Sequence, residues 1–137
     1  MIRKIKPSDN MQEYLQCVED LMQKETDTVA NMKQKIIFAK ESVYDVYVYE
    51  LEGKIVGTIS IIFEQKLRYK HPKVYIEDVG VKKSYRGRGI AKEMINFCLG
   101  VAKKKQAYKI VLSCRDDLVG FCEKIGFEKK DNFMIKE

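Results

Sequence analysis

The chain has 137 residues, of which 45% are hydrophobic and 34% charged. That composition fills one core and leaves little for a second, so residues 1–137 are expected to form a single domain; global disorder and fibrous repeats are excluded. The 26 Lys and Arg against 20 Asp and Glu give a net charge of +6, which favours an anionic partner without choosing among nucleic acid, an acidic membrane and a phosphorylated small molecule.

Residues 2–6 precede Pro7 and read as an edge strand, after which Ser8, Asp9 and Asn10 offer a helix cap. Met11, Tyr14, Leu15, Val18, Leu21 and Met22 recur at spacings of three and four, predicting a helix over 11–23 with one buried face. Thr26, Asp27 and Thr28 supply a second cap, and Val29, Met32, Ile36 and Ala39 carry a helix to about residue 40. The Val- and Tyr-rich run 44–51 and the Ile-rich run 55–63 flank Gly53 and predict a β-hairpin. A basic connection over 64–73 leads into a strand over 74–81. Residues 82–88 form a basic turn, followed by an amphipathic helix from Ile90 to about residue 105. A buried strand over 109–114 comes next, then a short helix opened by Asp116 or Asp117 and stopped by Gly126. One or two strands within 127–135 close the chain, giving a mixed α/β sheet.

No apolar run approaches the roughly 18 residues of a membrane span, and residues 1–6 lack the apolar segment of a secretory leader. The expectation is a cytoplasmic protein with no membrane partner. Cys17, Cys98, Cys114 and Cys122 make no CxxC pair and His71 is the single histidine, so no metal site is expected and the cysteines read as reduced thiols. Those outside residue 122 sit at apolar-periodic or strand positions and read as small hydrophobes.

The chemistry concentrates in residues 79–91, where a strand, a basic turn with two glycines and a helix start follow one another. The first N–H groups of a helix have no intrahelical partner and the macrodipole is positive there, so this is an anion site. Gly87 and Gly89 can take positive φ and lack the Cβ that would block a diphosphate, while Lys82, Lys83, Arg86, Arg88 and Lys92 add charge. Neither a P-loop nor a GxGxxG fingerprint is present.

Arg86-Gly87-Arg88-Gly89-Ile90-Ala91 resembles the signature of the GNAT acetyltransferase superfamily: Arg or Gln, two residues, Gly, one residue, then Gly or Ala. The resemblance implies a GNAT fold, with a mixed, mostly antiparallel sheet of about six or seven strands, about four helices, and a splay between the two parallel central strands. It also implies acetyl-CoA as co-substrate. The loop from Arg86 to Lys92 would hold the pyrophosphate, and Val79, Gly80 and Val81 the pantetheine arm and thioester carbonyl. An amide donor at that carbonyl would stabilise the oxyanion formed as an amine attacks.

Four segments are similar to the glucosamine 6-phosphate N-acetyltransferase branch: 74–81, with its Glu77-Asp78 pair, 85–90, 108–112 and 119–127. This resemblance implies N-acetylation of glucosamine 6-phosphate on the route to UDP-GlcNAc, by direct attack in a ternary complex. It implies a homodimer with a crossing C-terminal strand. It places Glu77 and Asp78 at the sugar, in contact with its hydroxyl or ammonium groups, with a water to remove the amine proton. Adjacent strand residues leave opposite faces unless a bulge re-aims one. Arg68, Lys70 and Lys73, in a basic run with Lys66 and His71, are the candidates for the sugar phosphate. Cys122 stands where the branch carries a tyrosine that protonates the departing CoA thiolate, Ser113 where it carries an acidic residue, and Leu118 where it carries Asn.

Two other readings compete. A GNAT enzyme could act on a polyamine or protein amine, against which the basic surface argues mildly. A basic nucleic-acid-binding domain could use Lys103, Lys104, Lys105, Lys109 and Arg115, but no helix presents an Arg, Asn and Gln set for a groove, so no nucleic-acid partner is expected.

Overall fold

The computed structural model describes residues 1–21, 25–39 and 43–137. Its elements are β1 (Ile2–Lys4), α1 (Met11–Cys17), α2 (Val29–Phe38), β2 (Tyr44–Leu51), β3 (Lys54–Glu64), β4 (Lys73–Val81), α3 (Ile90–Lys104), β5 (Lys109–Leu112) and α4 (Val119–Lys124). The strands make one sheet in the order β1-β2-β3-β4-β5. All neighbours are antiparallel except β4 and β5, which run parallel because α3 carries the chain back across the sheet.

This is the expected α/β GNAT architecture with four helices, but the described residues form five strands rather than six or seven. The strands expected within 127–135 do not form. A strand is stable only with a hydrogen-bonding neighbour, and Phe133, Met134 and Ile135 lie 70%, 90% and 78% exposed with none among the described residues. The first helix also stops early, at Cys17, and a 3-10 turn over Glu19–Leu21 follows. Residues 22–23, and residue 40 at the expected end of the second helix, lie outside the described residues.

The caps explain the helix starts. Asn10 accepts from the Gln12 and Glu13 N–H groups, and Thr28 from that of Asn31. Neither Asp116 nor Asp117 caps α4, since a 3-10 turn over Asp116–Leu118 leads directly into it. Its far end is a Schellman closure: Gly126 has φ +108 and the Phe127 N–H donates to the Cys122 carbonyl.

α3 covers one sheet face, with Ile90, Met94, Ile95, Cys98 and Ala102 buried against Ile59, Ile61, Phe63, Val74 and Ile76. α1 covers the other, where the Glu13 carboxylate accepts the Ile55 N–H at 3.0 Å and Cys17 packs on Val48 and Ile55. Gly80 lets α1 close on β4: a Cβ there would collide with the Cys17 backbone carbonyl. Gly80→Ala is therefore expected to cost about 1–3 kcal/mol, read as a lower denaturant midpoint with an unchanged slope.

Arg3 ties β1 to the rest, donating from Nε to Glu50 at 2.7 Å and from its two terminal nitrogens to Asp9 at 2.9 and 2.8 Å. These hydrogen bonds hold the Asp9 carboxyl below the usual carboxylate range, against the opposing effect of burial. A carboxyl depressed on folding contributes stability above its unfolded pKa, about 3.9, and loses it as pH falls through the folded value. The melting temperature of Arg3→Gln should thus be lower than wild type at neutral pH, with the gap narrowing below about pH 4.

Candidate functional site

The site grows from an irregularity in β4. Ser60 pairs with Glu77 and Thr58 with Gly80, so Asp78 and Val79 together oppose the single residue Ile59. This is a β-bulge, and Asp78 sits in it at φ +49, a conformation Asp tolerates better than most side chains. The bulge breaks the alternation that would otherwise send Glu77 and Asp78 to opposite faces. Asp78 lies near enough to Tyr14 of α1 to oppose its ionisation, and the Tyr14 hydroxyl is pushed up to about 12 by burial first, then by Tyr44 and Asp78.

β4 also parts from β5. The two pair only from Lys73 with Lys109 to Ile76 with Leu112, and residues 77–81 run on beyond the end of β5. The Lys82 N–H donates to the Val56 carbonyl at 2.8 Å and so points toward β3. Strand alternation then directs the Val81 N–H, and that of Val79 two residues before it, to the open edge. Arg86 reaches the same edge, donating from Nε to the Val81 carbonyl at 2.9 Å.

The loop after β4 is held in place by charge pairs and opened by its glycines. Arg86 meets Asp20 at 2.7 Å, and Lys83 meets Glu19 at 3.5 Å and Asp20 at 3.7 Å, fastening the loop to the turn after α1. The Arg86 hydrogen bond keeps the exposed Asp20 carboxyl low. Arg88 lies 4.9 Å from the Tyr85 ring centroid. Gly87 and Gly89 have φ +77 and +82, and nothing lies within 4 Å of a Cβ built on either. Gly89 is the N-cap of α3 and offers no side chain, so the N–H groups of Ile90, Ala91 and Lys92 point out of the helix end uncapped. Arg86 thus braces the loop through Asp20 and the Val81 carbonyl, and the backbone of Gly87 to Lys92 is open enough to admit an anion.

The remaining candidates divide. Glu77, Asp78, Val79, Gly80, Val81 and the 86–92 loop are contiguous along β4 and its outgoing turn. Gly80 turns its Cα toward the Cys17 carbonyl of α1. Lys73 lies near Tyr75, with its Nζ 4.7 Å from the ring centroid, on the face that alternation assigns to Glu77. Arg68 and Lys70 lie in the connection before β4, at the end away from the glycines. Arg68 is 4.9 Å from the Tyr69 ring, and Lys70, His71 and Lys105 line a hollow of about 520 Å³.

Cys122 is buried in α4, and burial first, then Cys114, just past the end of β5, push its thiol up to about 11. Cys114 itself is exposed because β5 ends at Leu112, two residues before the expected boundary, which corrects its reading as a strand hydrophobe. Ser113 and Leu118 are exposed too. Lys103 and Lys104 occupy the last turn of α3, where they complement its macrodipole.

Three hydroxyls join the site that sequence reasoning passed over. Tyr14 and Tyr44 line a groove of about 1020 Å³ between α1, α2 and β2. The Tyr44 hydroxyl lies 3.5 Å from Ser60 Oγ, and Ser60 is the buried partner of Glu77. One signal was available: Ser60 interrupts an otherwise apolar run from Ile59 to Phe63.

Comparison with known proteins bears on the family and the fold. The model of the acetyltransferase (GNAT) family matches residues 8–127. Glucosamine 6-phosphate N-acetyltransferases from Trypanosoma brucei brucei and Candida albicans are 33% and 35% identical over 65% and 64% of this chain. Those matches span 61% and 60% of the relatives' own lengths. The Arabidopsis thaliana enzyme of that name is 29% identical, over 98% of this chain and 94% of its own. A crystal structure of glucosamine-6-phosphate N-acetyltransferase from Arabidopsis thaliana superposes with a TM-score of 0.88 at 29% identity, covering 100% of this chain and 97% of that one.

Proposed function

Because the chain belongs to the GNAT acetyltransferase family, we propose that it transfers the acetyl group of acetyl-CoA to the amine of glucosamine 6-phosphate. The observation that carries this reading is the uncapped α3 terminus behind Gly87 and Gly89, set at the end of a strand whose edge amides are free of β5. The names of the relatives support the choice of sugar.

The residues fit a coenzyme A ester. The Gly87 to Lys92 backbone takes the diphosphate, because two side-chain-free positions let it approach and the helix dipole favours its charge. Val79 and Val81 N–H groups receive the pantetheine amides and the thioester carbonyl, where a fixed donor stabilises the developing oxyanion. Glu77 and Asp78 orient the ammonium group and accept its proton, directly or through water. The Cys122 thiol, kept protonated by burial, donates a hydrogen bond toward the departing sulfur. Lys73, with Arg68 and Lys70 beyond it, draws the sugar phosphate to the opposite end of β4. The exposed tail at Phe133, Met134 and Ile135 supplies strand-forming residues for a second copy of the chain in a homodimer.

The test is release of free coenzyme A across glucosamine 6-phosphate, glucosamine, polyamines and peptides. Turnover is expected with the first and is expected to drop sharply without the 6-phosphate. Clear turnover of a polyamine or peptide beside none of glucosamine 6-phosphate would overturn the choice of acceptor and leave the family standing.

A further inference from the structure

A row of polar side chains crosses three strands beside the proposed base. Tyr44 is the first residue of β2, lines the groove between α1, α2 and β2, and is 42% exposed. Its register partner on β3 is Ile62, but its hydroxyl reaches diagonally to Ser60 Oγ, at 3.5 Å. Ser60 is 1% exposed and lies in register with Glu77 on β4. Directly opposed residues of antiparallel strands share a face, so Tyr44, Ser60 and Glu77 lie on one face of β2, β3 and β4. Ser60 and Glu77 are one strand spacing apart, about 5 Å.

The direction of the hydroxyl contact follows from burial. Ser60 stands between Ile59 and Ile61, both fully buried, and its hydroxyl has Tyr44 as its hydrogen-bonding partner among the described residues. A buried hydroxyl needs an acceptor for its one hydrogen, so Ser60 donates to the phenol oxygen. The phenol's own hydrogen is then left over on an exposed side chain. At 3.5 Å the contact is long for two hydroxyls, and it leaves the phenol free to turn that hydrogen to a ligand.

We propose that Tyr44 is a specificity contact for the acceptor, its hydroxyl donating to a hydroxyl group on a carbon next to the amine-bearing carbon while Glu77 faces the amine. The contact rests on the acceptor-side role given to Glu77 above. An amine and a hydroxyl on neighbouring carbons are close enough to fit between a carboxylate and a phenol that reaches over the one intervening strand. An amine without that hydroxyl leaves the phenol unpaired and forfeits the bond. The acceptor class is therefore a vicinal amino alcohol, of which glucosamine 6-phosphate is one.

Coenzyme A release is measured for wild type, Tyr44→Phe, Ser60→Ala and the double variant. The acceptors are glucosamine 6-phosphate and its 3-deoxy and 1,5-anhydro analogues, each lacking one of the two hydroxyls beside the amine. Tyr44→Phe should raise the KM for glucosamine 6-phosphate about fivefold, the usual worth of one neutral hydrogen bond. The loss should fall on that KM, with kcat and the KM for acetyl-CoA within about twofold. With the analogue that lacks the contacted hydroxyl, wild type and Tyr44→Phe should have the same KM. Tyr44→Phe also strands the buried Ser60 hydroxyl and should lower the melting temperature. Adding Ser60→Ala should restore the melting temperature, because removing both partners is nearly neutral, and should keep the raised KM.

An unchanged KM in Tyr44→Phe, beside normal turnover of glucosamine 6-phosphate, would overturn the proposal and leave the choice of acceptor standing. A KM difference that persists with both analogues, or that vanishes in the double variant, would overturn it equally. If wild type acetylates another vicinal amino alcohol and not glucosamine 6-phosphate, the choice of sugar fails, and the same comparison on that amine decides the contact. An acceptor with no hydroxyl beside its amine would overturn both.

Discussion

Gly89→Val is expected to weaken acetyl-CoA binding about 100-fold, with Gly87→Val close behind. Neither site is crowded, since nothing lies within 4 Å of a Cβ at either. The cost comes from φ +82 and +77, where a β-branched residue is a genuine outlier. Strain of about 1–3 kcal/mol drives the loop to another conformation and turns the N–H groups away from the diphosphate; at 1.4 kcal/mol per tenfold, about 3 kcal/mol accounts for the loss. Gly53 supplies the control. It has φ +75 and is equally uncrowded, but it lies in the β2–β3 turn. Gly53→Val should lower the melting temperature and leave the acetyl-CoA Kd unchanged. Calorimetric titration of the three variants with coenzyme A checks the contrast, and equal affinities for all three would remove the glycine loop from the binding site.

Glu77→Gln should lower kcat by a factor on the order of 100 to 10 000, the range for loss of a positioned acid or base. The acetyl-CoA Kd should stay within about twofold, because the role proposed for the carboxylate is toward the amine and not the coenzyme. Asp78 needs two variants, since its side chain and its backbone both matter. Asp78→Asn keeps a residue that tolerates φ +49 and removes the charge; Asp78→Val keeps neither charge nor conformation. If charge alone counts, the two lose activity equally. If the bulge also aims the Val79 and Val81 N–H groups, Asp78→Val additionally raises the KM for acetyl-CoA. Steady-state kinetics in both substrates separates these outcomes.

The parts of the fold that depend on local chemistry were legible in advance. Asn10 and Thr28 cap where their hydrogen-bonding oxygens predict, α3 follows its apolar period from Ile90, and the hairpin turns at Gly53. Features set by pairing were not. Nothing local announces that β5 stops at Leu112 or that the tail after Phe127 finds no strand partner among the described residues, because both depend on which edges remain free. The backbone of the glycine loop was readable, since Gly87 and Gly89 ahead of a helix start take the positive φ open to glycine. The acidic pair was readable as a pair only; the bulge that interrupts its alternation is fixed by the register against Ser60 and Thr58. Tyr14 and Tyr44 read as packing residues by periodicity, and their hydroxyls meet the groove only after α1 and β2 are placed. Arg86 was read by its charge alone, and its hydrogen bonds to Asp20 and the Val81 carbonyl show only once α1 and β4 are placed.

A crystal structure of the chain with coenzyme A tests the account most directly. It should show the diphosphate against the N–H groups of Gly87 to Lys92, with the pantetheine chain running along the open edge of β4 past Val81 and Val79. A coenzyme bound elsewhere, or a diphosphate held only by surface lysines with those N–H groups facing solvent, would contradict it.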